Sequence, residues 1–246
     1  MRQFIVLFSL LGFFPGFSAD RQTVTTDYVV SYLGIPVLDM QQTRTSRDSI
    51  VTIQYDNQLR TLFSPLMDLH NVYTVSFLAD TYQPLRWSKD IREGKLRFQL
   101  TARRNASGNA VRYSTGEKRA FPQKAYTIFS ATHFLESIAH DAERFPQKLK
   151  VYIDGEVWQA TVNRYTSAEN SMLEDHPPGT VLLRARLHRV GGSSIVAEND
   201  ILTRHIATEG SQFLLWVDGS QRIIRARFGT FPTAVELDLV AGHNRD

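Results

Sequence analysis

Apolar and polar residues alternate with a period of two through most of the chain, and strict alternation marks a strand with one buried face. Leu96, Phe98 and Leu100 alternate with Lys95, Arg97 and Gln99, and Leu149, Val151 and Ile153 alternate with Lys148, Lys150 and Tyr152. Val181, Leu183, Ala185 and Leu187 alternate with Leu182, Arg184, Arg186 and His188, and Val235, Leu237 and Leu239 alternate with Glu236 and Asp238. Turn chemistry pairs several of these runs. Asp154-Gly155 lies between two alternating segments, a strong hairpin signal that sets Val151 opposite Trp158 and Leu149 opposite Ala160. Glu93-Gly94 is a weaker version, setting Ile91 against Leu96, Asp90 against Arg97 and Lys89 against Phe98. Near the C-terminus, aligning Phe228 with Val235 across Gly229–Ala234 also sets Ala226 against Leu237, Arg227 beside Glu236 and Arg225 beside Asp238. Apolar and ionic faces agree in that register, and a slip of one residue spoils both.

One segment departs from the period of two. Between Ser130 and Phe145, Phe134, Leu135, Ile138, Ala139 and Ala142 follow helical spacing, opposite Glu136, His140, Glu143 and Arg144. Ser130 is the expected N-cap, and Phe145-Pro146 the expected stop. The pattern therefore predicts a mainly β fold of about a dozen strands, with one amphipathic helix laying its apolar stripe on a sheet. Turn-rich loops at Asn105–Asn109, Glu174–Gly179 and Gly191–Ser194 are too short for domain linkers. With no internal repeat, residues 20–246 read as a single domain.

The first nineteen residues read differently. Met1 and Arg2 precede an apolar run from Phe4 to Phe14 broken by Ser9 and Gly12, then Pro15-Gly16 and the small residues Ser18 and Ala19. This is the layout of a signal peptide cleaved near Ser18 or Ala19. A run of about eleven residues is too short for a bilayer core that needs roughly twenty. The expectation is a periplasmic or secreted protein with no transmembrane span after cleavage.

The 246 residues contain no cysteine, which removes thiol catalysis, thiolate metal sites and lipidation at a lipobox cysteine. The formal net charge is +3, and loss of Arg2 with the leader lowers it to +2. The 28 basic side chains are mostly arginine and are interspersed along the sequence with no aromatic-basic motif, so nucleic acid is not an expected partner.

No catalytic constellation stands out. There is no Gly-x-Ser-x-Gly elbow, and Asp218-Gly219-Ser220-Gln221 reads as a hairpin turn. There is no His-Glu-x-x-His pair. His133 and His140 share a helix face two turns apart, too far for one metal, and read as a polar flank. His188 and His205 read as solvent-facing strand positions. Glu174-Asp175-His176 concentrates acid and imidazole, as a cryptic hydrolase requires, but a loop bounded by Pro177-Pro178 explains it with less. Arg222, Arg225 and Arg227 suit an anion clamp, although the C-terminal register gives two of them carboxylate neighbours. No catalytic residue, cofactor or metal is expected.

Taken in order, four stretches resemble the bacterial envelope family catalogued as domain of unknown function thirty-one-oh-eight. They are Tyr28-Val29-Val30-Ser31-Tyr32-Leu33-Gly34-Ile35-Pro36-Val37, the helical segment Ala125–Ala139, the hairpin Lys148–Val162, and Leu215-Trp216-Val217-Asp218 with Arg222-Ile223-Ile224-Arg225 and the last strand to Leu239. Leu38 and Ile224 depart from the Gly and Pro common at those places. The resemblance implies a periplasmic β-rich domain with no established reaction. A further likeness, of architecture alone, is to the envelope lipoprotein carriers: a strongly curved antiparallel sheet or open barrel with a helix against its concave side. Such a sheet outgrows one short helix and keeps an apolar concavity. Trp87, Trp158 and Trp216, with Phe98, Phe213, Phe228 and Tyr28, fall on the inward sets of their strands. The six tryptophans and phenylalanines are the expected ligand-lining residues. The expected function is non-enzymatic binding of a lipid-like or other apolar ligand. The alternative is a structural domain pairing with an envelope protein through a strand edge.

Overall fold

The computed structural model describes residues 21–63, 68–166, 177–192, 200–229 and 234–240. The leader segment and the Glu174–His176 cluster lie outside these residues. The first half of the chain supplies β1 (Gln22–Tyr32), β2 (Ile35–Arg47), β3 (Ile50–Leu59), β4 (Leu69–Leu78), β5 (Pro84–Glu93), β6 (Leu96–Arg104), β7 (Ala110–Tyr113), β8 (Lys118–Ala120) and β9 (Ala125–Tyr126). Helix α1 (Ile128–Ile138) and a 3-10 turn at Ala142–Arg144 lead to β10 (Gln147–Ile153), β11 (Glu156–Thr166) and β12 (Val181–Gly192). The short helix α2 (Ile201–Ile206) precedes β13 (Gln212–Val217), β14 (Ile223–Phe228) and β15 (Val235–Leu239).

Among the described residues all fifteen strands join one sheet in the order β8-β7-β6-β5-β4-β3-β2-β1-β15-β14-β13-β12-β11-β10-β9. Each half of the chain is a meander of neighbours, and the β1–β15 ladder joins the two. The pairing is antiparallel except where β9 runs parallel to β10. The sheet is open, ending at β8 and β9, yet strongly curled. Leu149, Val151 and Ile153 on one face of β10 belong to a core cluster with β11–β15, β1 and α1. Tyr152, on the other face, belongs to a second cluster with β3–β7. Its ring lies 5.9 Å from Trp87 and 4.9 Å from Phe121, and its hydroxyl takes a 3.0 Å hydrogen bond from Tyr113. The β9–β10 edge is thus rolled inside β5–β7, where side-chain packing closes what hydrogen bonds leave open.

Two of the three predicted hairpins hold to the residue. Val151 faces Trp158, Leu149 faces Ala160, and Phe228, Arg227, Ala226 and Arg225 face Val235, Glu236, Leu237 and Asp238. The Asp218–Gln221 segment is a turn, closed by the Asp218 N–H donating to the Arg222 carbonyl. The hairpin at Gly94 differs. Glu93 pairs with Leu96, so Ile91 faces Phe98 and Lys89 faces Leu100. The turn is Gly94-Lys95, with Gly94 at φ 59°, a conformation glycine adopts without Cβ strain.

The helix also differs from its sequence reading. Thr127 is the N-cap and accepts from the Ser130 N–H, while the Ser130 hydroxyl accepts from the Thr127 N–H, a capping box that places Ser130 one turn inside. The helix ends at Ile138 in a tightened turn, the Asp141 N–H donating to the Ile138 carbonyl at 2.9 Å, and the Ala139 carbonyl left beyond it accepts from Arg164 Nε of β11 at 2.8 Å. Glu136 and His133 are buried, not a solvent face: α1 lies within the curl and meets wall on more than one side. The second helix, α2, has only six residues, too few to show a period.

Candidate functional site

Between the inner face of β1–β4, the β13–β15 wall and the two helices lies a cavity of ≈ 140 Å³. Register fixes its layers. Gln42, Tyr55 and Tyr73 are successive cross-strand partners, as are Tyr28, Met40, Asn57 and Asn71 in the next layer. Above them Val30 pairs with both Leu38 and Leu237, and Leu237 with Ala226, making an aliphatic belt that Leu215 continues. Phe228 and Val235, opposite each other and half-buried, form the outer lip with Ile201 of α2.

The inner end is polar. Tyr55 Oη lies 3.0 Å from His133 Nε2, and Gln42 Nε2 donates to Tyr55 Oη at 3.1 Å. His133 Nδ1 lies against Glu136 Oε2 without the alignment of a hydrogen bond. Glu136 Oε1 accepts the Ile223 N–H at 3.2 Å, and Tyr28 donates to the Ile223 carbonyl at 3.2 Å. Burial first, then the Glu136 carboxylate, push the Tyr28 and Tyr55 phenols well above the ordinary tyrosine range, so both remain protonated donors. Four of the exposed large hydrophobic side chains, Tyr32, Leu33, Ile35 and Leu62, sit on the β1–β2 turn and the β3–β4 connection at the lip end of these strands.

A second buried polar group braces this region. Lys89 projects from the inner face of β5 between Trp87 and Ile91 and is 6% exposed. Its Nζ contacts Asp154 Oδ2 in the β10–β11 turn, Asp200 Oδ2 at 2.9 Å and Thr203 Oγ1 at 3.3 Å. Asp200 is the N-cap of α2, accepting the Thr203 N–H at 2.8 Å, and Tyr73 donates to its Oδ1 at 2.8 Å. Burial alone would raise the Asp200 carboxyl, but the Lys89 ammonium and the Thr203 N–H outweigh it and hold the group below its usual value. Burial alone would lower the Lys89 ammonium, and the Asp154 and Asp200 carboxylates together raise it instead. Both groups are charged at neutral pH. The network ties β4, β5, the β10–β11 hairpin and α2, which carries Ile201, Leu202, His205 and Ile206 into the cavity wall. Sequence reasoning missed it, although the alternation Trp87-Ser88-Lys89-Asp90-Ile91 sets a lysine on an apolar face, where it needs partners.

The six aromatic residues expected to line a ligand site are dispersed. Only Phe228 is in the cavity wall, its ring 5.2 Å from that of Phe213, which packs behind it in the first cluster. Trp158 is buried core in the same cluster, and Trp87 belongs to the second, beside the Lys89 network. Phe98 is half-buried at the edge of that second cluster, with Lys89 Nζ 5.6 Å from its ring centroid. Trp216 is a correction: it is buried but on the opposite face from Phe213, Leu215 and Val217, paired with Leu182. The run Phe213-Leu214-Leu215-Trp216-Val217 is apolar at every position, so alternation could not assign its faces. Tyr28 does line the cavity. His205 is a second correction, standing on α2 in the cavity wall rather than on a strand. His140 reaches the Asp218 carbonyl at 2.7 Å. Arg222, Arg225 and Arg227 are held by Asp218, Asp238 and Glu236 at 2.9, 2.6 and 2.7 Å, which occupies the supposed anion clamp.

No family model matches the chain, and no curated protein matches it. Among solved structures it is similar to the crystal structure of a beta-barrel-like protein of domain of unknown function DUF1849 from Brucella abortus. The TM-score is 0.51 at 9% identity, over 90% of this chain and 96% of that one. A likeness at that identity defines the fold alone: the chain has a β-barrel-like fold.

Proposed function

We propose that the protein binds the alkyl end of an amphiphile in the cavity between the two meanders, as a non-enzymatic protein of the bacterial envelope. The observation that carries this reading is the cavity itself: ≈ 140 Å³, walled by Val30, Leu38, Leu215, Ala226 and Leu237, with an apolar lip. That is close to the engineered cavity of about 150 Å³ that holds benzene, so the enclosed part suits roughly six carbons. Burial at about 0.8 kcal/mol per methylene gives roughly 5 kcal/mol before the costs of association. Location in the envelope is supported by the leader-like residues 1–19 and by the resemblance to the envelope family of domain thirty-one-oh-eight.

The test is a chain-length series. Binding of straight-chain alcohols, read directly by titration calorimetry, should tighten about fourfold per added methylene and then level off once the enclosed volume is full. Leu38→Trp, which fills the belt, should abolish this binding while leaving the circular dichroism spectrum unchanged. Affinity independent of chain length, or unaffected by Leu38→Trp, contradicts the reading.

A further inference from the structure

Basic residues that are scattered in the sequence are assembled by hairpin register into one row. Arg86 of β5 is the direct cross-strand partner of Arg103 of β6, Arg103 is the partner of Arg112 of β7, and Arg112 is the partner of Lys118 of β8. Direct partners share a face, and here it is the outer one: Trp87, Ala102 and Tyr113, the neighbours of Arg86, Arg103 and Arg112, are buried on the inside. All four cations are exposed, and among the described residues none has a carboxylate partner. The acid next to Lys118 in sequence, Glu117, is held by Arg119 at 2.9 Å. Neighbouring strands are about 4.8 Å apart, so four like charges stand across roughly 14 Å.

Like charges directly opposite one another in a sheet are destabilising, and a single such pair is usually relieved by a carboxylate nearby. Elsewhere on this sheet the direct pair Arg92 and Arg97 is relieved in that way, by Asp68 at 2.7 Å from Arg97. The row of four carries an uncompensated cost that an anion removes. It also borders a surface groove whose walls include Arg103, Arg104 and Arg112 with the hydroxyl residues Thr101, Ser107 and Ser114. Arg104 does not join the row: on the other face of β6, its guanidinium lies 5.1 Å from the buried Phe121 ring and its Nε donates to the Gly108 carbonyl at 3.0 Å. Planar guanidinium forks beside hydroxyl donors suit tetrahedral oxyanions, which accept two parallel hydrogen bonds from each fork.

We propose that the outer face of β5–β8 is a binding site for a ligand carrying two or more clustered phosphoryl groups, which bridge Arg86, Arg103, Arg112 and Lys118. It lies on the convex side of the sheet and stands or falls separately from the cavity.

The probe is inorganic tripolyphosphate, titrated calorimetrically into the full mature chain at low salt, with vesicles containing phosphatidylglycerol as a second arm. Arg103→Ser/Arg112→Ser should weaken binding by at least about a hundredfold, since each lost charge-assisted contact is worth about tenfold or more. The control Arg44→Gln/Arg186→Gln removes equal charge from exposed strand positions elsewhere and should change affinity little. Because the row is repulsive when empty, Arg103→Ser/Arg112→Ser should melt no lower than the parent without ligand, which separates lost binding from lost folding. Tripolyphosphate binding with that mutational pattern identifies a free phosphorylated molecule. Vesicle binding alone, with the same pattern, identifies the phosphoryl groups as lipid headgroups. Binding that survives Arg103→Ser/Arg112→Ser, that falls equally in the control, or that is absent in both arms overturns the proposal.

Discussion

Replacing Lys89 by Met keeps the stem that packs between Trp87 and Ile91 and removes only the ammonium. Two carboxylates then remain where they were, Asp154 at 6% exposure and Asp200 at 0%, without their shared counter-charge. Breaking a buried ion pair from one side costs about 3–5 kcal/mol. For a chain of this size each kcal/mol corresponds to roughly 2–4 °C in melting temperature, so Lys89→Met should melt about 6–20 °C below the parent. The pH dependence gives the sharper test. In the parent the Asp200 pKa is lowered, so its contribution is complete above the unfolded carboxyl value near 3.9 and is lost only as pH falls through the lower folded value. The Lys89 pKa is raised, so its contribution is complete below about 10.4 and lost only as pH climbs through the folded value. The network is therefore at full strength across the neutral range. In Lys89→Met, burial is left without the ammonium that outweighed it at Asp200, and the sign reverses: stability falls as pH rises through that carboxyl. Urea unfolding at pH 8 and pH 5 should show a deficit that is largest at pH 8 and shrinks at pH 5. The triple variant Lys89→Met/Asp154→Asn/Asp200→Asn should recover roughly half of it, because Asn still caps α2. A deficit under about 1 kcal/mol, or one that does not change with pH, would refute the argument.

Thr127→Ala removes the side chain that accepts the Ser130 N–H and should cost about 1 kcal/mol in urea unfolding. Glu136→Leu leaves the Ile223 N–H without its acceptor in a buried site and should cost about 1–3 kcal/mol, whereas Glu136→Gln, which keeps an acceptor oxygen, should cost less. Arg227→Ala breaks an ion pair that is about a third exposed on each side and should cost below about 1 kcal/mol, with a difference that fades as salt rises.

Local signals were readable in the sequence where one face of an element meets protein and the other meets water. The β14–β15 register followed from two agreeing faces, Ala226 with Leu237 inside and Arg225 with Asp238 outside. The Asp154-Gly155 turn fixed its hairpin by backbone chemistry alone, with Asp154 at φ 45° and Gly155 at φ 111°. Reading failed where that contrast is lost. Residues 213–217 are apolar throughout, so Trp216 was assigned to the wrong face. Helix α1 is enclosed by the curled sheet, so Glu136 and His133, which look like a solvent stripe, face a polar pocket instead. The most consequential features are non-local. The Lys89 network joins positions 65 and 111 residues apart, and the cationic row joins strands whose partners are set by three successive hairpins. A one-dimensional charge count saw Arg86, Arg103, Arg112 and Lys118 as interspersed, because only registers turn distance along the chain into adjacency across a sheet. The cavity wall is likewise made of Val30, Leu38, Ala226 and Leu237, ordinary aliphatic residues, rather than the conspicuous tryptophans: Trp158 and Trp87 pack the two core clusters, and Trp216 is buried on the opposite face of its strand.

The claim that a chain enters between the two meanders is tested most directly by intermolecular nuclear Overhauser effects. Decanol with natural protons would be added to protein that is deuterated except at the methyl groups of Leu and Val. Cross-peaks from the alkyl chain to Val30, Leu38, Leu215 and Leu237, with none to Leu100 or Val111 in the second cluster, are the expected result. Saturating decanol that gives no contacts to these four residues, or contacts only at the exposed Leu33 and Leu62, would contradict it.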